Sequence, residues 1–242
     1  MYYFIADTHL GSVGGDGTED RLIKWIESIE PTAKALFLCG DIFDFWFEYD
    51  RVVPMGFTSV LAKFKQLSRA GIRVVMMVGN HDLWMDGYLT RECGVEIYYR
   101  PTHFDVAGRR VHVAHGDNLN VRGDMKLKLM NFVFRSQTAR SLFKTFVHPD
   151  LAIRFGSWWS GKSRKKHCGE NDYGRGVGML LEYAAQRQAQ IESDYYLYGH
   201  LHVAKDHQAE GYRVLFMNDW SSDPHYVVID EDGDAELKRV NQ

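Results

Sequence analysis

The sequence predicts an α/β fold built on a mainly parallel sheet with some antiparallel pairing. Apolar, β-branched and aromatic runs recur along the chain, and amphipathic helix patterns separate the first of them, as in βαβ units. Residues 104–117 instead predict a hairpin that turns at Ala107-Gly108, and the tail predicts another that turns at Asp232-Gly233. The predicted strands are 2–6, 35–39, 72–78, 111–114, 195–198, 214–217 and 226–229.

Two helices are predicted between the first three strands. Apolar residues recur at helical spacing over 22–29, after Thr18 as the predicted N-cap. A second apolar pattern covers 60–67, and Gly71 is expected to end that helix. These helices would connect neighbouring parallel strands and cover the sheet, so the carboxyl ends of those strands would share one edge.

Composition is that of an ordinary globular protein. The chain has 242 residues, of which 45% are apolar and 25% charged, enough for one sizeable core or a core with an insertion. The first residues read as a strand, without the basic segment of a secretory signal, and no apolar run approaches the ~18–20 residues of a membrane span. Cys39, Cys93 and Cys168 lack the spacing of a zinc site or a disulfide framework. We therefore expect a cytoplasmic protein.

Polar motifs follow almost every predicted strand. They are "ADTH" at 6–9, "GDIFDFW" at 40–46, "GNHD" at 79–82, "HGD" at 115–117 and "GHLH" at 199–202. Ligands of open α/β sheets bind outside the carboxyl ends of the strands, so these loops are expected to converge on one place.

The motifs contain side chains that bind hard or borderline divalent cations, namely carboxylates, an amide and imidazoles. The candidate ligands are Asp7, His9, Asp41, Asn80, His115, His200 and His202. Seven ligands exceed one tetrahedral site and suit two ions about 3.5–4 Å apart with a bridging carboxylate. The glycines before Asp41, Asn80 and His200 are expected to allow sharp turns and close approach to a bound anion. Each motif alone could be a turn, a cap or a buried histidine pair, but their joint occurrence favours the metal site.

The five motifs together resemble the signature of the calcineurin-like metallophosphoesterases: Asp-x-His, Gly-Asp-x-x-Asp, Gly-Asn-His-Asp/Glu, a His, and Gly-His-x-His. The resemblance implies an α/β fold, a two-layered β-sandwich flanked by helices, with two ions at the strand ends. It assigns one ion to Asp7, His9, Asp41 and His202. It assigns the other ion to Asp41, Asn80, His115 and His200, with Asp41 bridging.

The resemblance also implies a reaction. A water held between two divalent cations becomes a nucleophile near neutral pH and attacks phosphorus. His81 would stabilise the phosphoryl transition state or protonate the leaving group, and Asp82 would orient it. The alternative is that His81 only supports the metal ligands.

Residues 122–166 differ from the rest of the chain in charge. They contain eleven Lys and Arg against two Asp, interleaved with many apolar side chains, whereas the whole chain has a net charge of −3. One interpretation is a helical pair with an accessible apolar face that lines a greasy pocket or lies on a membrane, with cations facing phosphate groups. The other is a helical hairpin buried against the sheet or a dimer partner. We predict a core formed by 1–120 and 171–242, and an inserted helical cap at 121–170.

With this insertion, the chain resembles the UDP-2,3-diacylglucosamine diphosphatases of lipid A biosynthesis within that family. The resemblance implies hydrolysis of UDP-2,3-diacylglucosamine, an amphiphilic nucleotide-sugar lipid, to UMP and 2,3-diacylglucosamine 1-phosphate. It implies two Mn²⁺ ions, acyl chains held by the cap, and a peripheral enzyme on the cytoplasmic face of the inner membrane. The expected substrate contacts are Asn80, His81, Asp124, Lys162, Lys165, Lys166 and His200.

The chain departs from that group at two points. The best-studied branch has Arg where this chain has His81, and the cap tyrosine expected after Asp124 is missing. A soluble metallophosphodiesterase or nucleotide phosphatase would use the same ligands without a greasy basic insertion. A binding module with a decayed metal site is a third hypothesis, which the complete ligand set opposes. No nucleic-acid motif accompanies the basic segment, so no nucleic-acid partner is expected.

Overall fold

The structure, a computed structural model, describes residues 1–117, 119, 136–166 and 170–241. Its strands are β1 (Tyr2–Ile5), β2 (Ala35–Leu38), β3 (Arg73–Met77), β4 (Glu96–Tyr98), β5 (Thr102–Val106), β6 (Arg109–Val113), β7 (Tyr195–Tyr198), β8 (Lys205–Gln208), β9 (Arg213–Phe216), β10 (His225–Ile229) and β11 (Ala235–Arg239). Its helices are α1 (Thr18–Ile29), α2 (Thr58–Arg69), α3 (Tyr88–Cys93), α4 (Gln137–Phe146), α5 (Pro149–Lys166) and α6 (Glu170–Gln188).

The strands form two mixed sheets rather than the single sheet predicted from hydrophobic patterns alone. One sheet has the order β11-β10-β1-β2-β3-β4, with β1 to β4 parallel and the other pairs antiparallel. The other has the order β5-β6-β7-β9-β8, with β6, β7 and β9 parallel. The sandwich implied by the family resemblance is therefore confirmed.

A continuous apolar core lies between the two sheets. Phe4 on β1 stacks on Phe37 of β2 at a centroid distance of 4.4 Å, and Phe104 of the second sheet meets Phe37 edge-on at 5.1 Å. Leu197 and Leu215 complete this layer from β7 and β9. Because helices cover the outer face of each sheet, the central strands are buried on both faces, which explains why their sequences are apolar without alternation.

The helices bury the outer faces of the sheets. Leu22 and Ile26 of α1 and Phe64 of α2 belong to the cluster that covers the six-stranded sheet. On the five-stranded sheet, Leu180 and Ala184 of α6 pack with aromatic side chains of β7 and β9. The layers are therefore helix, sheet, sheet, helix, and the two predicted early helices are confirmed.

Local predictions have mixed outcomes. The first hairpin is confirmed, because Ala107 and Gly108 both have positive φ, at 48° and 76°, between β5 and β6. Gly71, with φ of 84°, follows the end of α2 as predicted. The Thr18 cap is wrong. Gly17 occupies the N-cap in the left-handed conformation, and Thr18 is already the first helical residue, with its side chain buried.

The tail hairpin is confirmed, and its turn is closed by an aspartate. The Asp230 carboxylate accepts hydrogen bonds from the backbone N–H groups of Asp232 and Asp234, and Gly233 has a positive φ. Sequence patterns missed β4 and β8. The first has only three residues, and the second, "KDHQ", is a polar edge strand. Neither contains an apolar run that periodicity can detect.

The described part of the predicted cap is helical, as α4 and α5. Asp124 lies outside the described residues, and Lys162, Lys165 and Lys166 lie on α5 with side chains that the structure does not describe. Within the described ranges, no helix is long and apolar enough to cross a membrane.

Replacing Phe37 with Ala tests the core between the sheets. Phe37 is 1% exposed and contacts aromatic rings of both sheets, so its loss should lower the free energy of unfolding by ~3–5 kcal/mol through lost burial and a residual cavity. Urea unfolding measures the change. Phe146→Ala is the matched control, because Phe146 is 79% exposed and its truncation should cost no more than about 0.5 kcal/mol. Equal losses in the two variants would contradict this description of the core.

Candidate metal centre

The candidate ligands lie in loops at the carboxyl ends of five strands. Asp7 and His9 follow β1, Asp41 follows β2, Asn80 follows β3, His115 follows β6, and His200 and His202 follow β7. Backbone hydrogen bonds join these loops, with Asp7 N–H donating to Gly40 at 3.1 Å and Gly199 N–H donating to His115 at 2.9 Å. The strand-end edges of both sheets therefore meet at one site, as predicted.

The backbone at this edge is conformationally strained. Positive φ angles, between 43° and 67°, occur at Asp7, His9, Asp41, His200 and His202. Residues with a Cβ rarely adopt such angles, and each costs of order 1–3 kcal/mol. Strain concentrated at these five candidate ligands indicates a functional site.

Asp7, His9 and His202 form one group of candidate ligand atoms. Asp7 Oδ1 lies 3.3 Å from His202 Nε2 and 3.8 Å from His9 Nε2. The two Nε2 atoms are 3.1 Å apart. The other oxygen, Asp7 Oδ2, accepts a hydrogen bond from His200 N–H at 2.9 Å. One carboxylate oxygen is thus held by the backbone while the other faces two imidazole nitrogens.

Asp41, His115 and His200 form a second group. His115 Nε2 lies 3.1 Å from Asp41 Oδ2. His115 Nδ1 donates to the backbone oxygen of Cys39 at 3.0 Å, which orients the ring with Nε2 towards the centre. The other oxygen, Asp41 Oδ1, accepts from His81 N–H at 2.9 Å.

His9, Asp41 and His81 form a third group that lies between the other two. The rings of His9 and His81 are 4.8 Å apart, and His81 Nε2 is 3.8 Å from Asp41 Oδ2. The shared members connect all three groups into one cluster. Asn80 lies in the same loop as His81, and its side chain is exposed rather than enclosed by these groups.

Asp44 is a site residue that sequence reasoning missed. Its backbone oxygen accepts from His81 Nδ1 at 2.8 Å, and its carboxylate lies 3.7 Å from His9 Nδ1. The Gly-Asp-x-x-Asp pattern contained this residue as its second aspartate. The contact of its backbone oxygen with His81, however, forms only in the folded protein and is not visible in the sequence.

Asp82 connects two loops of the site. Its two carboxylate oxygens accept from Gly79 N–H at 2.7 Å and Ile42 N–H at 2.8 Å, so it connects the loops after β2 and β3. The hydrogen bond that orients the His81 ring through Nδ1 goes to the backbone oxygen of Asp44, and the orienting role of Asp82 stays a prediction. Burial, followed by the charge of Asp41, raises the pKa of Asp82 to about 7.

Burial and opposite charges compete in setting the pKa values of the cluster. Burial lowers the pKa of His9 to about 4 and that of His200 to about 3, so both rings are neutral ligands at neutral pH. Burial alone would raise the pKa of Asp41, but nearby histidines, led by His115, hold it well below its usual value. Burial would likewise lower the pKa of His115, whereas the Asp41 charge raises it. Cation binding at His115 would therefore displace a proton.

The glycines of the motifs have two distinct roles. Gly40 has φ of 94°, as a sharp turn requires. Gly79 and Gly199 do not have positive φ, and the contacts at these two positions instead give a steric reason for glycine. A Cβ on Gly79 would lie 2.1 Å from Asp41 Oδ1, and one on Gly199 would lie 2.5 Å from Asp7 Oδ2. These two glycines leave room for the two carboxylates.

The donor set fits divalent cations. Three buried atoms, Asp7 Oδ1, His9 Nδ1 and His115 Nε2, have no hydrogen-bond partner among the described residues. Leaving such atoms unpaired costs about 1–3 kcal/mol each, and coordination to a cation would remove that cost for Asp7 Oδ1 and His115 Nε2, whereas His9 Nδ1 faces the Asp44 carboxylate at 3.7 Å. Carboxylate oxygens combined with imidazole nitrogens suit Mn²⁺, Fe²⁺ or Zn²⁺ better than the all-oxygen sites of Ca²⁺.

The family of the chain follows from a comparison with family models. The calcineurin-like phosphoesterase model matches residues 2–204. The chain belongs to this family. The match begins at β1 and extends through His202, so it spans all seven candidate ligands, and the family accounts for a metal-dependent hydrolase.

Three UDP-2,3-diacylglucosamine hydrolases align with nearly the whole length of the chain. It is 36% identical over 245 aligned positions to a UDP-2,3-diacylglucosamine hydrolase of Porphyromonas gingivalis, covering 94% of this chain and 93% of that protein. Proteins of the same name from Haemophilus ducreyi and Neisseria gonorrhoeae are 25% and 26% identical over 96% of this chain. Among solved structures, an archaeal phosphodiesterase superposes with a TM-score of 0.52 over 98% of both chains at 13% identity, which supports the fold alone.

Gly79→Ala tests the close approach at the centre. The added methyl would collide with the carboxylate and backbone nitrogen of Asp41, so we expect weaker cation binding and at least a tenfold loss of hydrolysis. Calorimetric Mn²⁺ titration and phosphodiester hydrolysis measure the two effects. Gly178→Ala on α6 is the control, because its Cβ would meet nothing within 4 Å, and it should match the wild type. A Gly79→Ala protein with unchanged Mn²⁺ affinity would contradict this role.

Proposed function

We propose that this protein hydrolyses the diphosphate of UDP-2,3-diacylglucosamine at a dinuclear metal centre, giving UMP and 2,3-diacylglucosamine 1-phosphate in lipid A biosynthesis. The observation that carries the proposal is the clustered ligand set in a chain that matches a UDP-2,3-diacylglucosamine hydrolase over nearly its full length. The fold by itself does not select this substrate, since structural neighbours of low identity include a phosphodiesterase.

Two cations would divide the ligands as the geometry groups them. One would be held by Asp7, His9 and His202 and the other by Asp41, His115 and His200, with Asp41 shared and Asn80 completing the second set. Two bound divalent cations, which we propose to be Mn²⁺, would supply a water with a pKa near neutrality and neutralise phosphoryl charge.

The side chains of the centre have separate roles in this proposal. His81, with Nδ1 fixed by the Asp44 carbonyl, presents Nε2 towards Asp41 and the reacting phosphorus. Since Nδ1 carries the proton in that hydrogen bond, Nε2 donates only when the ring is doubly protonated, and His81 then acts as an acid or a cationic stabiliser of the phosphoryl group. Asp82 joins the loops after β2 and β3 through its hydrogen bonds from Ile42 N–H and Gly79 N–H.

The cap would bind the lipid part of the substrate. Leu142, Phe146, Leu151, Phe155 and Trp158 are all exposed on α4 and α5, a concentration of apolar surface that suits acyl chains or a lipid surface. We propose that the protein lies peripherally on the cytoplasmic face of the inner membrane. The core would comprise 1–120 and 171–242 and the cap 121–170, with Asp124, Lys162, Lys165 and Lys166 as sugar or phosphate contacts beside Asn80, His81 and His200.

Two of the basic cap residues do not fit the expectation that they face phosphate. Arg140 is paired with Asp86 at 2.7 Å, and Lys144 is paired with both Asp86 at 2.6 Å and Asp50 at 3.5 Å. That part of the prediction is wrong for these two side chains, because protein carboxylates already neutralise them. The remaining cations of the segment are the candidates for substrate phosphate.

Product analysis tests the proposed function. The purified protein with Mn²⁺ should release UMP and the lipid monophosphate from UDP-2,3-diacylglucosamine, faster than it cleaves a soluble aryl phosphodiester, and a chelator should abolish both reactions. Mass spectrometry identifies the products. Cleavage of the soluble ester alone would transfer the proposal to a soluble phosphodiesterase, and no cleavage of either ester despite bound Mn²⁺ would exclude the enzyme.

His81→Ala tests the catalytic role proposed for His81. Loss of a positioned acid or cationic stabiliser should lower kcat by about 10²–10³-fold. Both cations should stay bound, because the substitution leaves all seven candidate ligands in place. Elemental analysis counts the cations and steady-state kinetics gives kcat. His207→Ala, on the edge strand β8, is the matched control and should behave as wild type. Full activity in His81→Ala would refute the catalytic role, and loss of a cation would make His81 a ligand instead.

A further inference from the structure

The cap helix α4 is attached to the two loops that follow β2 and β3, the loops that hold Asp41 and His81. Phe143 of α4 packs against Phe47 of the first loop and Trp84 of the second, with centroid distances of 5.2 Å in both cases. Tyr49 donates a hydrogen bond to the backbone oxygen of Val147 at 2.8 Å, where α4 ends. The helix therefore rests on the same loops that form the metal centre.

The two loops are themselves joined side by side. The backbone N–H of Trp46 donates to the backbone oxygen of His81 at 3.1 Å, and the backbone N–H of Glu48 donates to the backbone oxygen of Trp84 at 3.1 Å. This is the pairing of two short parallel strands. The buried carboxylate of Glu48 accepts from Trp46 Nε1 and from the backbone N–H groups of Asp86 and Tyr88. Asp86 is therefore held on a hydrogen-bonded pair of loops, and a helix attached to Asp86 has a fixed position relative to the His81 segment.

Charge holds α4 to this pair of loops. Both oxygens of Asp86 are engaged, one by Arg140 at 2.7 Å and the other by Lys144 at 2.6 Å, and Arg140 also donates to the backbone oxygen of Met85 at 3.1 Å. Lys144 is 13% exposed and Asp86 is 44% exposed, so the pair is shielded from solvent on the lysine side only. These contacts carry much of the attachment, because no side chain described on α4 is fully buried.

A second contact joins the cap to the centre through α5. Gly156 lies against the ring of Phe45, and a Cβ at this position would be 2.3 Å from that ring. Phe45 directly follows Asp44, whose carbonyl orients His81. The cap is thus attached at two points, by charge and aromatic packing at α4 and by a close approach at α5.

We propose that Arg140 and Lys144, gripping Asp86, form an electrostatic clamp that positions the cap over the metal centre and thereby sets the preference for amphiphilic over soluble phosphoesters. These are positioning residues, since they contact neither the candidate ligands nor the reacting atoms. The proposal rests on the proposed function. It gives a reason for two cations of the basic segment to pair with protein carboxylates instead of substrate phosphate. A soluble ester does not bind the cap, so disruption of the clamp should leave its rate of hydrolysis unchanged.

Charge reversal tests the clamp. Lys144→Glu would face Asp86 and Asp50 and should raise KM for UDP-2,3-diacylglucosamine about tenfold or more, as for a lost close charge pair, while kcat for an aryl phosphodiester stays within about twofold. Lys144→Arg keeps the positive charge facing Asp86 and Asp50 and should retain most of the affinity. Lys24→Glu, at an exposed position of α1, has the same charge change and should match the wild type.

Hydrogen–deuterium exchange gives a readout that needs no substrate. Amides of 137–146 should exchange faster in Lys144→Glu and at the wild-type rate in Lys144→Arg, and amides of the core strands should be unchanged in both variants. Wild-type protein that fails to hydrolyse the lipid nucleotide would overturn the proposed function and the clamp with it. Wild-type hydrolysis with an unchanged KM in Lys144→Glu would overturn the clamp alone. Equal losses on lipid and soluble esters would also overturn it, because they indicate a general structural role.

Discussion

The structure depends on two carboxylates, those of Asp7 and Asp41, which are 0% and 1% exposed at the edge where the two sheets meet. A buried carboxylate without compensation is too costly to remain ionised, so its surroundings must supply positive partners. Imidazoles from four loops and backbone N–H groups from two do so here. The same arrangement leaves one oxygen of each carboxylate directed at the centre, where a divalent cation would provide the remaining charge.

The backbone geometry follows from that requirement. For five side chains to reach one point from strand ends, the chain must turn through positive φ at residues that are not glycine. The strands are rigid, because both their faces are packed, and they hold these turns in place. The conformational cost at the edge is offset by the apolar layer between the sheets, which lies next to the site and fixes its dimensions.

The centre and the cap form one connected unit rather than a catalytic core with a separate lid. The aromatic residues Phe45, Trp46, Phe47 and Trp84 lie in the loops that hold Asp41 and His81. Three of them, Phe45, Phe47 and Trp84, also contact α4 or α5. Glu48 and Asp86 extend the connection in polar form. The loops that hold Asp41 and His81 therefore also hold α4, and two cations of the basic segment, Arg140 and Lys144, take part in that attachment.

Sequence alone determined most of the strands, their polar ends and the family, because apolar runs and strand-end motifs are local signals that need no knowledge of contacts. It also predicted the ligand types, since carboxylates and imidazoles in this order point to one chemistry, and the family resemblance implied two sheets. Only the tertiary structure decided which strands belong to which sheet, the Asp44 carbonyl that holds His81, the steric reason for Gly79 and the pairing of Lys144 with Asp86. Each of these depends on distances between residues far apart in the chain, and periodicity and motif spacing carry no information about such distances.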